Sequence, residues 1–306
     1  MKLSSLSLSF NDFKPINLED KPLFDKHYIK YPPTHSDNLF TTMISWKDYC
    51  DYHYTFLEDN LIIMTNMDNK IQFRPPIGKY DKDVVQQVLQ LAKKEGSDQP
   101  VIIIDAEKKE LIFKNFPKLE FKPDRDYFDY VYLASDLAEL PGTPYSKIRN
   151  RLNKFKKSFF YSVEKISEEN MTEVREFLKR WCLWKDCESD PILENEKKAI
   201  LYSISHFFEL GIYGINLRIN GTIEAIAVYE KMSNDTAVVH YEKGSPDYDG
   251  IYKAINQETA KILQKNFKFI NRESDMDLPG LRKVKMSYRP HHMVEVYHID
   301  KQSILF

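Results

Sequence analysis

Residues 56–78, FLEDNLIIMTNMDNKIQFRPPIG, run from a short apolar stretch through a polar turn at Asn66 to Asn69 into a second stretch ending at Pro75-Pro76. That is the pattern of a β-hairpin. In DKDVVQQVLQLAKKEG, Val84, Val85, Val88, Leu89 and Leu91 recur at helical spacing and Gly96 stands where a C-cap is wanted. VIIIDA (101–106) reads as a buried strand, Leu111 to Phe116 as a short helix or turn, and FDYVYLA (128–134) as another strand.

The second half opens on helical patterns. Ile148, Leu152 and Phe155 form one apolar stripe. Met171, Val174, Phe177, Leu178 and Trp181 form a second behind a Ser167 cap, and Ile200, Leu201, Ile204, Phe207 and Phe208 a third, closed by Gly211. YGINLRINGTIEAIAVYEKM (213–232) then predicts a hairpin with a type I′ turn at Asn220-Gly221. TAVVHYEKG (236–244) adds a strand, GIYKAINQETAKILQKN (250–266) a helix, FKFIN (267–271) a strand, and MVEVYHI (293–299) is expected to close the same sheet. The order is hairpin, helix, strand, helix, strand, then helices, a three-strand meander, helix, strand, short helix and strand. This α/β (α+β) order predicts two domains, 1–143 and 144–306.

Composition narrows the class. A net charge of −2 predicts no nucleic-acid coat or polybasic anchor, so such contacts would come from local patches. Cys50, Cys182 and Cys187 are odd in number, lack CxxC spacing and fit a reducing compartment. MKLSSLSLSFNDFKPI lacks a signal-peptide core, and nothing approaches the roughly 18 apolar residues of a membrane helix. A soluble, cytoplasmic protein without integral membrane segments is expected. The sequence carries no mark of an oligomeric state.

The element order matches the GNAT-type acyltransferase plan. In addition, FRPPIG (73–78), LPGTPYSKIRNRLNKF (140–155), HYEKG (240–244), GIYKAIN (250–256) and NRESDMDLPGLRKVKMSYRP (271–290) resemble soluble bacterial proteins related to the C-terminal domain of phosphatidylglycerol lysyltransferase. The resemblance spans about residue 15 to the end. It implies two tandem GNAT-like domains with mixed central sheets, the arrangement shared with peptidyltransferases of cell-wall precursors. In those relatives an aminoacyl-tRNA is the donor and a lipid or peptide amine or hydroxyl the acceptor. The lysyltransferases carry a multi-helix membrane portion ahead of this domain, which does not occur in these residues. They also place a lysine before the aromatic-x-Pro end of the last block, where this chain has Ser287 before Tyr288-Arg289-Pro290.

Aminoacyl transfer needs a positioned ester, a proton acceptor and a cation facing the oxyanion. With no GxSxG elbow and no Cys-His pairing, direct attack without a covalent intermediate is the expected route. Strand alternation sets His240 and Glu242 on one face, with Tyr241 and Lys243 on the other, so Glu242 is expected to raise the basicity of a catalytic His240. Arg282, after Pro279-Gly280, is the third catalytic candidate, its guanidinium facing a ligand carboxylate or phosphate with little consequence for stability. Arg272, Glu273, Asp275 and Lys283 of the same stretch, with Tyr288, are candidates for holding the donor's amino group, phosphate or carbonyl. The opposite expectation for this stretch is that its acids and bases pair across the turn.

Tyr145, Asn150 and Asn153 are candidate ligand-orienting groups, as are Tyr252 and Asn256, one turn apart on a helix, and Arg74 of the FRPPIG block. Lys147, Arg149, Arg151 and Lys154 are candidate contacts for tRNA phosphates. No metal site is expected, since His291-His292 has no accompanying ligand set. No cofactor is required. Coenzyme A is disfavoured because Asp247 and Asp249 occupy the loop where a pyrophosphate would sit. Two other readings stand beside the transferase, an acyl-CoA-dependent N-acyltransferase and a non-catalytic module for an amino-acid-like ligand.

Overall fold

The computed structural model describes residues 7–187 and 191–305. They fall into two compact units, residues 1–128 with 294–306, and residues 129–293. The division expected at 143/144 lies inside the second unit.

The first unit begins with β1 (Lys14–Pro15), α1 (Lys21–Lys30), α2 (Phe40–Ser45) and α3 (Lys47–Cys50). The predicted hairpin follows as β3 (Asn60–Met67) and β4 (Lys70–Phe73), flanked by β2 (Tyr52–Leu57) and β5 (Ile77–Gly78), two strands more than the pattern showed. Then come α4 (Lys82–Glu95), β6 (Val101–Asp105), α5 (Ala106–Asn115) and β7 (Phe121–Pro123). Helix α5 starts earlier than its apolar residues indicate, because the Asp105 carboxylate caps it by accepting from the Lys108 N–H at 2.8 Å. Phe73, Met64 and Ile62 face α4, whose Val84, Val85, Val88 and Leu89 are buried against them. Each such aliphatic side chain is worth about 1.5–3 kcal/mol of burial. Tyr54, on the other face of the sheet, packs on Phe24 of α1, which packs on Phe40 of α2.

The second unit contains β8 (Asp129–Leu133), α6 (Ala134–Glu139), α7 (Ser146–Ser158), β9 (Tyr161–Lys165), α8 (Met171–Lys185) and α9 (Pro191–Ser205). The meander β10 (Tyr213–Ile219), β11 (Thr222–Lys231) and β12 (Thr236–Gly244) is followed by α10 (Ile251–Leu263), β13 (Phe269–Asn271), α11 (Pro279–Ser287) and β14 (His292–Val294). Asn220 and Gly221 both take positive φ, 51° and 82°, so the expected type I′ turn forms. The N-cap position of α8 is Asn170 and not Ser167; its side chain makes no bond to the helix and instead bridges the Ser167 N–H and the Lys165 carbonyl.

Among the described residues the sheet of the second unit has seven strands in the order β14-β8-β13-β12-β11-β10-β9, with β12 and β13 parallel. Only the start of the final segment closes that sheet as expected, Met293 and Val294 lying in its edge strand β14. The segment breaks at Glu295, and β15 (Val296–Ile299) inserts between β6 and β7 of the first unit's eight-stranded sheet. The alternation of MVEVYHI identifies a strand but cannot say which sheet owns it.

Candidate active site

Strand β12 is nine residues long, whereas β13 pairs with only its first three, Thr236 to Val238. Beyond Val238 the neighbours part. Residues 272–277 leave the sheet in an irregular path with Glu273, Met276 and Asp277 at positive φ. A cavity of about 630 Å³ lies where they separate, lined by residues 239–243, the start of α10 and one side of α11. Lys285 holds its irregular wall: the ammonium donates to the carbonyls of Arg272, Glu273 and Ser274 at 2.6, 3.1 and 2.5 Å. Burial, and then Arg272 nearby, push this lysine down to about 8.

The β11–β12 register shifts so that Val228 pairs with Tyr241 and Tyr229 with Val239. His240 is thereby the extra residue of a bulge. Its side chain is buried between two carboxylates, Nδ1 donating to Glu273 at 2.8 Å and Nε2 to Glu230 at 3.0 Å. Burial is the largest influence on its pKa and pushes it down. The hydrogen bonds and charges of Glu230 and Glu273 outweigh that and raise it to about 10. His240 is therefore an imidazolium at neutral pH and not the base expected of it. Glu242 is not its partner.

Glu242 instead takes a hydrogen bond from the Asn256 amide at 2.9 Å and pairs with the Arg272 guanidinium. Arg272 also lies against two rings, its centre 5.0 Å from that of Tyr288 and 5.7 Å from that of Tyr132. On the opposite face of β12, Tyr241 bonds Ser203 of α9 at 3.2 Å, and Lys243 pairs with Glu196 at 2.8 Å above the Trp181 ring. Trp181 donates to the Tyr252 hydroxyl at 3.2 Å. The expected separation of Glu242 from Tyr241 and Lys243 thus holds in the structure.

Lys253, in the first turn of α10, lines the same cavity with its ammonium 5.3 Å from the centre of the Tyr288 ring. Among the described residues this ammonium makes no hydrogen bond or ion pair, the bond from Lys253 to the Gly250 carbonyl being that of its backbone N–H. Burial, then Arg272 and Arg151, lower its pKa. A half-buried cation without an acceptor, beside a cavity, is what an anionic or developing-anion ligand atom requires.

The sequence matches the family described as phosphatidylglycerol lysyltransferase, C-terminal, over residues 29–299. The chain belongs to this family. A conserved protein of unknown function from Bacteroides thetaiotaomicron is similar at 30% identity and a TM-score of 0.87, covering 94% of this chain and 98% of that one. The L-PGS structure from Bacillus licheniformis shares the fold at 12% identity and TM-score 0.64, over 94% of this chain and 93% of that one. FemX does so at 10% and 0.58, over 95% and 98%. No curated protein matches the sequence. Both units of this lysyltransferase C-terminal family member are built on mixed α/β sheets, the fold shared with the L-PGS structure and FemX.

Within this family member the structure gathers His240, Glu242, Tyr241, Lys243, Tyr252, Arg272, Glu273 and Tyr288 around one cavity, with Asn256 behind Glu242. Arg151 lines it as well. The other candidates of the second unit are not among its lining residues. Arg282 is spent on Asp275, to which Nε and Nη2 donate at 3.0 and 2.8 Å. Asp275 is fully buried and also accepts from Tyr130 at 2.5 Å. Those two residues therefore pair across the turn. Lys283, Asn150 and Asn153 are exposed away from the cavity lining, and Tyr145 is a core residue whose hydroxyl donates to the Tyr288 carbonyl at 3.1 Å. Arg74 belongs to the first unit.

The basic run of α7 is partly consumed. Arg149 donates to the carbonyls of Leu140 and Gly142, and Arg151 to Asp249 at 2.9 and 2.5 Å, with Lys154 4.0 Å from the same carboxylate. Lys147 remains exposed. Lys253 carries no signal of its own in the sequence, being a lone lysine in GIYKAIN with nothing local to mark it as facing a cavity. Lys285 read as one more charge of its helix.

Proposed function

We propose that the protein is a cytoplasmic aminoacyltransferase that moves an aminoacyl group from tRNA to a small-molecule, peptide or lipid acceptor by direct attack, with no cofactor. The observation that carries this reading is the cavity opened by the parting of β12 and β13, with the unpaired Lys253 ammonium on its wall. The family membership supports a transferase. Lys253 is the group proposed to face the ester carbonyl as its oxygen gains charge. Arg272, fixed by Glu242 and Asn256, and the His240 pair with Glu273 form the walls that orient the donor. Lys147, and Lys154 beyond its long contact with Asp249, are the phosphate contacts on α7 proposed for tRNA; the attacking amine or hydroxyl gives its proton to water as the ester C–O bond breaks, and the departing tRNA hydroxyl takes one up.

An acyl-CoA donor is the second reading, favoured by one observation: Arg151 neutralises Asp249, which removes part of the repulsion a pyrophosphate would meet. Asp247 stays exposed in that loop.

The test incubates the purified protein with charged total tRNA and a cell extract of small molecules and lipids, following loss of aminoacyl ester and appearance of new amides or esters. Acetyl-CoA turnover runs in parallel. Transfer from tRNA is expected, and Lys253→Met is expected to lower it about 100-fold or more with the melting temperature nearly unchanged, since its ammonium has no acceptor to lose. Acetyl-CoA turnover without tRNA-dependent transfer would select the second reading. Full transfer by Lys253→Met would remove that residue from the mechanism.

A further inference from the structure

Arg74 presents an unbalanced charge in the interior of the first unit. It is 4% exposed, and its Nε and Nη1 are sealed from solvent without an acceptor. Among the described residues the guanidinium makes no hydrogen bond and no ion pair. A guanidinium cannot escape burial by losing its proton. A buried, unpaired charge costs several kcal/mol, and an apolar side chain of similar length would serve stability better. The position is also fixed in advance. The Arg74 N–H donates to the Ile63 carbonyl at 2.8 Å, and Pro75 and Pro76 stiffen the backbone that follows.

The surroundings follow from the register. Phe73 pairs with Met64 and faces α4, so Arg74 projects to the other face of the sheet, where Tyr54 pairs with Ile63 and Tyr52 with Thr65. The charge of Arg74 acts on Cys50, Tyr52 and Tyr127. Asp37 acts on the same three groups but, among the described residues, forms no ion pair with Arg74. Phenol and thiol groups are weak donors that tolerate an anion beside them.

We propose that the first unit binds a small oxyanion, a carboxylate or phosphate group, against the Arg74 guanidinium between the β4–β5 connection and the end of α3. This proposal concerns the first unit and does not depend on the transferase reading. The anion supplies the acceptors that the chain withholds, through paired oxygens that match the planar guanidinium.

The experiment measures thermal unfolding of the full chain in sodium phosphate, sodium acetate and sodium chloride at equal ionic strength. In the same samples, alkylation of Cys50 is followed by peptide mass spectrometry, with Cys182 and Cys187 as internal references. At roughly ten times its Kd the bound anion is expected to raise Tm by a few degrees and slow Cys50 labelling several-fold. An effect of phosphate alone assigns a phosphorylated ligand, and an effect of acetate a carboxylate. Arg74→Met is expected to abolish both responses while melting no lower than wild type in chloride. If that variant does not fold, Arg74→Lys, which keeps the charge without the fork, is expected to weaken both. No anion-specific change in the wild type, or an equal change in Arg74→Met, would overturn the proposal.

Discussion

With a carboxylate on each ring nitrogen, His240 holds a proton that the unfolded chain releases near pH 6.5. Its folded pKa of about 10 lies above that value, so its contribution to stability is complete below about pH 6.5 and drains away as the pH rises towards 10. Between these limits the wild type is expected to lose up to about 1.4 kcal/mol per pH unit relative to His240→Gln. Urea unfolding of both proteins at pH 7, 8 and 9 measures it, and parallel profiles would show that the imidazole is not charged. Arg282 makes the opposite point about legibility. Its charge and its place after Pro279-Gly280 were readable, yet sequence cannot say whether a guanidinium meets a ligand or the Asp275 seven residues earlier. The Asp275 carboxylate is fully buried, so Arg282→Ala is expected to cost about 1–3 kcal/mol, contrary to the stability-neutral role first expected. An unchanged chemical denaturation midpoint would contradict the pairing.

At the scale of elements, the cavity depends on where α10 starts. Gly250 caps that helix at φ 98°, and a Cβ there would lie 2.9 Å from the Phe155 Cβ and 3.2 Å from the Arg151 carbonyl oxygen. Gly250→Ala is therefore expected to destabilise by about 1–3 kcal/mol and to displace Lys253. At Gly280, in the first turn of α11, a Cβ would meet nothing within 4 Å and φ is not unusual, so Gly280→Ala is expected to be neutral or slightly stabilising. Comparing the two Tm values separates a conformational requirement from mere small size. Helices with clean stripes, such as α4 and α10, and the Asn220-Gly221 hairpin were legible because local spacing determines them. The His240 bulge was not, since it arises from pairing with β11, and the Lys285 hold on three carbonyls belongs to a loop without periodicity. Sequence therefore located the segments that build the site while misassigning its base and its pairings.

For the whole molecule, the decisive feature is the return of the chain to the unit it began. Among the described residues, the strand between β6 and β7 comes from the end of the chain: Val296 pairs with Asp105 and Tyr297 with Ile104 on one side, and Ile299 with Phe121 on the other. Ile299 and Ile304 are fully buried in the same core as Val88 and Ile104. No local pattern announces this, because a strand's alternation is blind to partners some two hundred residues distant. Stopping the chain after Val294 keeps β14 intact but removes β15, exposing two strand edges and opening that core. The truncated protein is expected to lose the cooperative unfolding of its first unit. Limited trypsin digestion should cut throughout residues 7–128 and leave a resistant fragment close to 129–293, while the full chain is cut slowly everywhere. If truncation leaves the first unit as protected as in the full chain, β15 is an accessory edge and not the strand that completes the fold.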